Sequence, residues 1–252
     1  MTNTLLSATG LVKTFGGVTA VDRADLQVAP GSITGLIGPN GAGKTTLFNL
    51  LSNFIRPDAG QVTFDGQAIA TMQPHRIARL GMVRTFQVAR TLSRLSVLEN
   101  LLLAPQKQTG EKAWNVWLQP NKIRAEERQA TQRAMDILDS IGLVHKAHDY
   151  AGGLSGGQRK LLEIGRAMMT QPKLILLDEP AAGVNPTLIN QICNYITTWN
   201  REGISFLIIE HNMDVIMSLC DRVWVLAEGK NLAVGSPEEV QSNQQVLAAY
   251  LG

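Results

Sequence analysis

The sequence predicts an α/β fold whose core is interrupted by a helical insertion, and three features carry that expectation. A glycine-rich loop stands between the apolar run Ile33–Ile37 and a helical pattern at 45–53. Strand, loop and helix in that order form half of an α/β unit. Strand and helix patterns alternate again from residue 174 onward, and between these two regions residues 88–154 read mainly as helix.

Taken in chain order, Val18–Val28 reads as the first strand, followed by a turn at Pro30 and Gly31. The apolar run and the glycine loop come next, then the 45–53 helix, closed by Pro57. Residues 61–69 resemble a hairpin with Asp65 and Gly66 at its turn. Inside the insertion, Ser96-Val97-Leu98-Glu99 has the capping-box pattern and starts a helix through Leu103. Residues 125–141 place Ala130, Ala134, Ile137, Leu138 and Ile141 at helical spacing, and Gly142 can close that helix. A looser piece at 106–122 carries Trp114 and Trp117. Strands at 174–177, Ser205–Ile209 and 223–226 then alternate with a helix at 187–200. A last helix is capped by Ser236, with Pro237 at its first position and Glu238 and Glu239 in its first turn. No internal repeat is visible. The expected division is a core of 1–87 and 155–252 around a helical subdomain of 88–154.

The 252 residues are 44% hydrophobic and 17% charged, an ordinary globular balance that excludes a disordered chain. The net charge of +2 is scattered, with no dense lysine or arginine block, so nucleic acid is not an expected partner. Cys193 and Cys220 lack metal-ligand spacing and fit core positions in a reducing compartment. The first residues lack the basic start and apolar stretch of a signal peptide. No apolar run approaches the ~20 residues of a membrane helix. The expectation is a soluble, cytoplasmic chain that reaches a membrane only through partners.

Gly38-Pro39-Asn40-Gly41-Ala42-Gly43-Lys44-Thr45 matches the phosphate-binding loop pattern in full. Glycines let backbone amides turn inward around phosphate oxygens, and the following helix offers its positive end to the same anion. Lys44 is expected to reach the β- and γ-phosphates, and Thr45 to offer a hydroxyl to magnesium. The second half of such a site is the run 174–177, a strand apolar enough to be buried on both faces, with Asp178 and Glu179 at its C-terminal end. One acid can serve the magnesium shell while its neighbour orients water. In Leu154-Ser155-Gly156-Gly157-Gln158, serine and glutamine have capping-box spacing and the glycines leave the first helical amides uncovered.

Together these segments resemble an ATP-binding cassette (ABC) transporter ATPase over nearly the whole chain. That resemblance implies a P-loop NTPase core of RecA-like type with an N-terminal antiparallel β region and an inserted α-helical subdomain. Gly38 to Thr45, with Thr46 after them, are similar to the family's Walker A loop, and 174–179 to its Walker B strand. Ser155, Gly156, Gly157 and Gln158 match its signature, which in the family touches the γ-phosphate of ATP held by the opposite subunit. Gln87 stands where the family has the glutamine that senses the metal and the membrane partner, and His211 resembles its switch histidine. Outside this context Gln87 would read as an ordinary polar residue and His211 as a solvent-facing one. Phe15 stands where a tyrosine frequently stacks on adenine; the ring face remains without the hydroxyl. Asn185 falls where many members carry aspartate in the loop that crosses the dimer. It keeps a hydrogen-bonding side chain but loses the charge.

Softer signals are similar to the branched-chain and neutral amino acid uptake group: residues 15–21, 74–78, 179–183, the long 106–122 connection and the ending Ala248-Ala249-Tyr250-Leu251-Gly252. The resemblance implies ATP and Mg2+ as ligands, with Thr45, Gln87 and Asp178 around the metal and Glu179, His211 and Gln87 in catalysis. It implies a second ATPase subunit, transmembrane permease subunits and, indirectly, an extracytoplasmic solute-binding protein as partners. The implied location is the cytoplasmic face of the cell membrane. A cassette for urea or a lipid-linked substrate stays open. So does a non-transport cassette in translation or DNA repair, although those usually join two cassettes in one chain or insert long coiled coils.

Overall fold

The computed structural model describes residues 4–85, 91–105 and 119–251. Gln87, Trp114 and Trp117 lie outside them. The chain divides into two compact units, Met1–Gln87 with Lys173–Gly252, and Val88–Pro172.

The first unit holds two sheets. The antiparallel one is built from β1 (Leu6–Phe15), β2 (Val18–Val28), β4 (Ala59–Phe64) and β5 (Gln67–Ala68), in the order β2-β1-β4-β5. The other has β3 (Ile33–Ile37), β6 (Met82–Arg84), β7 (Leu174–Asp178), β8 (Ser205–Ile209), β9 (Arg222–Ala227) and β10 (Lys230–Gly235), in the order β10-β9-β3-β8-β7-β6. All its pairings are parallel except β9 with β10. The strands β3, β7 and β8 are buried at every residue. Such strands sit inside a parallel sheet covered on both faces, which is why their sequences run apolar without alternation.

The helix α1 (Lys44–Leu51) follows the loop after β3. One apolar cluster takes Leu6, Leu26 and Phe64 from the antiparallel sheet, Leu36, Leu176 and Leu207 from the parallel sheet, and Leu47, Phe48 and Leu51 from α1. Each such side chain contributes roughly 1.5–3 kcal/mol by leaving water. A short helix α2 (Pro74–Leu80) leads into β6. Three strands, β1, β6 and β10, are not legible in the sequence. The pairing of β1 with β2 shifts register between Ala8 and Leu11 and again before Lys13. Bulges of this kind erase the period-two pattern that marks a strand. At the expected hairpin, β4 and β5 are joined through Asp65 and Gly66, both left-handed at φ 49 and 75.

In the second unit, α3 (Val97–Leu102) starts at Ser96, whose hydroxyl accepts from Glu99 N at 3.1 Å while Glu99 accepts from Ser96 N at 2.7 Å. It packs with α4 (Pro120–Ser140) and α5 (Gly156–Met169). Here the expected boundary at 155 is displaced, because the compact unit runs on to Pro172. The cause is the apolar face of α5. A side-chain carbon at Gly165 would lie 3.1–3.2 Å from Ile141 and Ile137, and Arg133 donates to Met168 O at 3.1 Å.

Back in the first unit, α6 (Pro186–Arg201) packs on α7 (Met213–Leu219). The chain ends in α8 (Pro237–Ser242) and α9 (Gln244–Leu251), with the expected cap in place at Ser236. Cys220 is buried and Cys193 half-buried, both as free thiols. Among the described residues, no helix is long and apolar enough to cross a membrane.

Candidate active site

The site grows from the C-terminal ends of three adjacent strands. In the sheet β8 lies between β3 and β7. Ile209 of β8 is level with Leu36 of β3 on one side and with Asp178 of β7 on the other. One or two residues beyond that row come Gly38, Glu179 and His211, which places the phosphate loop, the acids and the histidine on one rim. Ligands bind at this end of parallel sheets.

The loop after β3 is shaped by close backbone approaches. A side-chain carbon at Gly38 would lie 2.0 Å from Leu226 O, and one at Gly43, φ 93, 2.3 Å from Ala20 O. Only glycine fits between loop and neighbouring strand at both places. Lys44, the first residue of α1, is buried and donates to Gly38 O at 2.7 Å and Pro39 O at 2.9 Å. Its ammonium thus folds back over the loop. Burial pushes its pKa down, and the nearby negative charge of Glu179 pulls it partly back. Thr45 is exposed and Thr46 half-buried on the first turn of α1. Asn40 and Gly41 are exposed, Pro39 is half-buried and Ala42 is buried.

Asp178 ends β7 with its side chain 9% exposed and faces Arg84 of β6, Nη2 to Oδ2 at 2.9 Å. Arg84 also donates to Asn49 Oδ1 at 2.6 Å and Ser52 Oγ at 3.2 Å. It lies over the rings of Phe48 and Phe54 at 5.1 and 5.6 Å. Glu179 is held in the left-handed region at φ 49, and its amide donates to Ile209 O at 3.0 Å. Its Oε1 stands 3.0 Å from His211 Nε2. Between these two, Glu210 is buried and accepts from Ala181 N at 2.6 Å, His211 N at 3.1 Å and Asn212 N at 3.4 Å.

Phe15 is 46% exposed at the end of β1, with Lys13 Nζ 5.4 Å from its ring centre. It opens the hairpin into β2, whose Ala20 carbonyl meets Gly43. Asn185 caps α6 by accepting from Leu188 N at 2.8 Å. In the second unit Ser155 caps α5: its hydroxyl accepts from Gln158 N at 3.2 Å, and Gln158 Oε1 accepts from Ser155 N at 3.0 Å. Gly156 is exposed with open space around it, and Gly157 is half-buried beside it. Loop, acids and histidine therefore converge within the first unit, whereas the capped glycine helix belongs to the second.

Residues 21–182 match the family model described as ABC transporter. This chain belongs to the ABC transporter family. Its residues 230–252 match a second model, described as branched-chain amino acid ATP-binding cassette transporter. The chain is 42% identical to the probable branched-chain amino acid transport ATP-binding protein LivG of Archaeoglobus fulgidus, covering 98% of this chain and 95% of that one. It is 40% identical to the high-affinity branched-chain amino acid transport ATP-binding protein LivG of Escherichia coli K12, covering 100% and 99%. The crystal structure of a nucleotide-free ATP-binding cassette from an ABC transporter is similar at 39% identity and a TM-score of 0.85, over 99% of each chain. Another, of an ABC transporter cassette in its ADP conformation, matches at 36% identity and 0.83, again over 99% of each.

For this ABC chain, two site residues escaped sequence reasoning. Arg84 stands in an unremarkable position, and its partners Asn49 and Asp178 lie 35 and 94 residues away in sequence. Glu210 did leave a trace, since a carboxylate directly after the four apolar residues Phe206 to Ile209 and before His211 is a candidate for burial.

Proposed function

We propose that this chain, an ABC ATPase, drives uptake of branched-chain or other neutral, hydrophobic amino acids through membrane permease subunits, from the cytoplasmic side of the membrane. The transport substrate follows the relatives' names and the match of residues 230–252. The observation that carries the hydrolytic reading is the 3.0 Å contact between Glu179 and His211, on the rim shared with the phosphate loop.

In this reading the backbone N–H groups from Asn40 to Thr46 and the Lys44 ammonium hold the β- and γ-phosphates of ATP, with Gly38 and Pro39 shaping the loop. Phosphate draws the ammonium away from the carbonyls of Gly38 and Pro39, and anionic oxygens compensate its burial better than carbonyls do. Phe15 offers a ring face to adenine. Glu179 Oε1 accepts a proton from the attacking water, and His211 fixes the γ-phosphate end of that geometry. The Thr45 hydroxyl and the Asp178 carboxylate are hard oxygen donors that suit Mg2+. Among the described residues no group of three or more His, Cys, Asp or Glu could hold a metal alone, so phosphate oxygens would complete the shell. Bound there, Mg2+ supplies neutralisation of phosphate charge. Gln87 is assigned to sensing that metal and the permease. Ser155, Gly156, Gly157 and Gln158 serve the γ-phosphate bound by a second ATPase subunit, so two subunits close around two nucleotides. A solute receptor outside the membrane would deliver the amino acid to the permease.

Replacing Glu179 by Gln tests the hydrolytic assignment. Nucleotide affinity stays within about twofold while turnover falls at least a hundredfold, roughly what a general base contributes. Normal turnover would remove Glu179 from its role. Uptake of a panel of labelled amino acids in cells lacking this subunit tests the substrate class, and unchanged uptake of all neutral amino acids would refute it.

A further inference from the structure

The carboxylate of Glu210 is buried on the site rim and takes no part in the chemistry proposed above. It is only 3% exposed and has backbone donors on both sides. Oε1 accepts from Ala181 N at 2.6 Å, two residues past Glu179. Oε2 accepts from His211 N at 3.1 Å and from Asn212 N at 3.4 Å. Asn212 in turn caps α7 by accepting from Asp214 N at 2.9 Å. One side chain therefore bridges the segment leaving β7 and the turn that carries the histidine.

We infer that Glu210 is a positioning residue that holds Glu179 and His211 at working distance by fixing the two backbone segments presenting them. The inference rests on the assignment of Glu179 and His211 above. The chemistry of the bridge is specific. All three partners are N–H donors, so the bridging group must be an acceptor on both oxygens, which only an ionised carboxylate provides. A glutamine of the same size offers one acceptor oxygen and turns an NH2 toward a donor on the other side. It keeps one segment and releases the other. Glu179 has little freedom to adjust, because its own backbone is already in the left-handed region at φ 49.

The test compares steady-state ATP hydrolysis by the full chain, by E210Q, by H211A and by the double variant, with ATP affinity and melting temperature measured for each. E210Q is expected to lower kcat on the order of ten- to a hundredfold, the cost of misplacing reacting groups by a fraction of an ångström to one ångström. KM stays within about twofold, since the phosphate loop is untouched. In the H211A background the added E210Q change should lower kcat by a clearly smaller factor than it does in the wild type, because one of the two groups it positions is already gone. Wild-type turnover by E210Q overturns the inference, and so does a loss that multiplies fully onto that of H211A, as general destabilisation would. Wild-type turnover by H211A instead removes the assignment beneath it, and the inference falls with it. Should E210Q fail to fold, E210D keeps the charge but shortens the reach by one methylene. It is read by the same outcomes.

Discussion

At the scale of single residues, the site is built by groups that satisfy one another in little water. Arg84 and Asp178 meet at 2.9 Å with side chains 8% and 9% exposed. Nη1 of Arg84 donates to Asn49 and Ser52, and the guanidinium rests against two phenylalanine rings. Replacing Arg84 by Met would leave Asp178 buried without its counter-charge and cost about 3 kcal/mol, measured by urea unfolding. Lysine at 84 should recover only part, since it cannot span Asp178 and Asn49 with one planar fork. A loss below about 0.5 kcal/mol for R84M would mean that water reaches the carboxylate and that the pair adds little. The acids themselves were legible in the sequence because they terminate an apolar strand. The partner of Asp178 was not, because Arg84 acts through contacts that local sequence does not encode.

Among the elements, two glycine-bearing helix starts look alike in sequence and differ in what surrounds them. In the phosphate loop, Gly38 and Gly43 are pressed against Leu226 O and Ala20 O. At the start of α5, Gly156 faces open space. Gly38→Ala should therefore disturb the loop itself and abolish nucleotide binding. Gly156→Trp should leave melting temperature and ATP affinity near wild type while stopping hydrolysis, because the proposed function gives the space it fills to a second subunit's nucleotide. Loss of ATP binding in G156W, read by fluorescent-nucleotide titration, would show that the glycine serves its own chain. The cap at Ser155 was legible from serine and glutamine spacing. That α5 belongs to the helical unit was not, since the fact lies in packing between Gly165 and Ile137 and Ile141. Strands β3 and β8 were readable to the residue because burial on both faces leaves them predominantly apolar. The bulged β1 carries no such signal.

For the whole molecule, the division of labour between units sets what a lone chain can do. Phosphate loop, acids and histidine converge in the unit of Met1–Gln87 and Lys173–Gly252, while the capped glycine helix starts in Val88–Pro172. In the proposed function each half-site binds nucleotide, but hydrolysis needs the helix start of another subunit to reach the γ-phosphate. ATP then favours the closed pair, and its hydrolysis removes the contact that held it. The most direct measurement is ATP turnover per chain across a wide dilution series at saturating nucleotide. Turnover per chain should rise in proportion to protein concentration at the dilute end and level off once pairs form. A rate per chain that stays constant down to concentrations where only monomers exist would contradict the account.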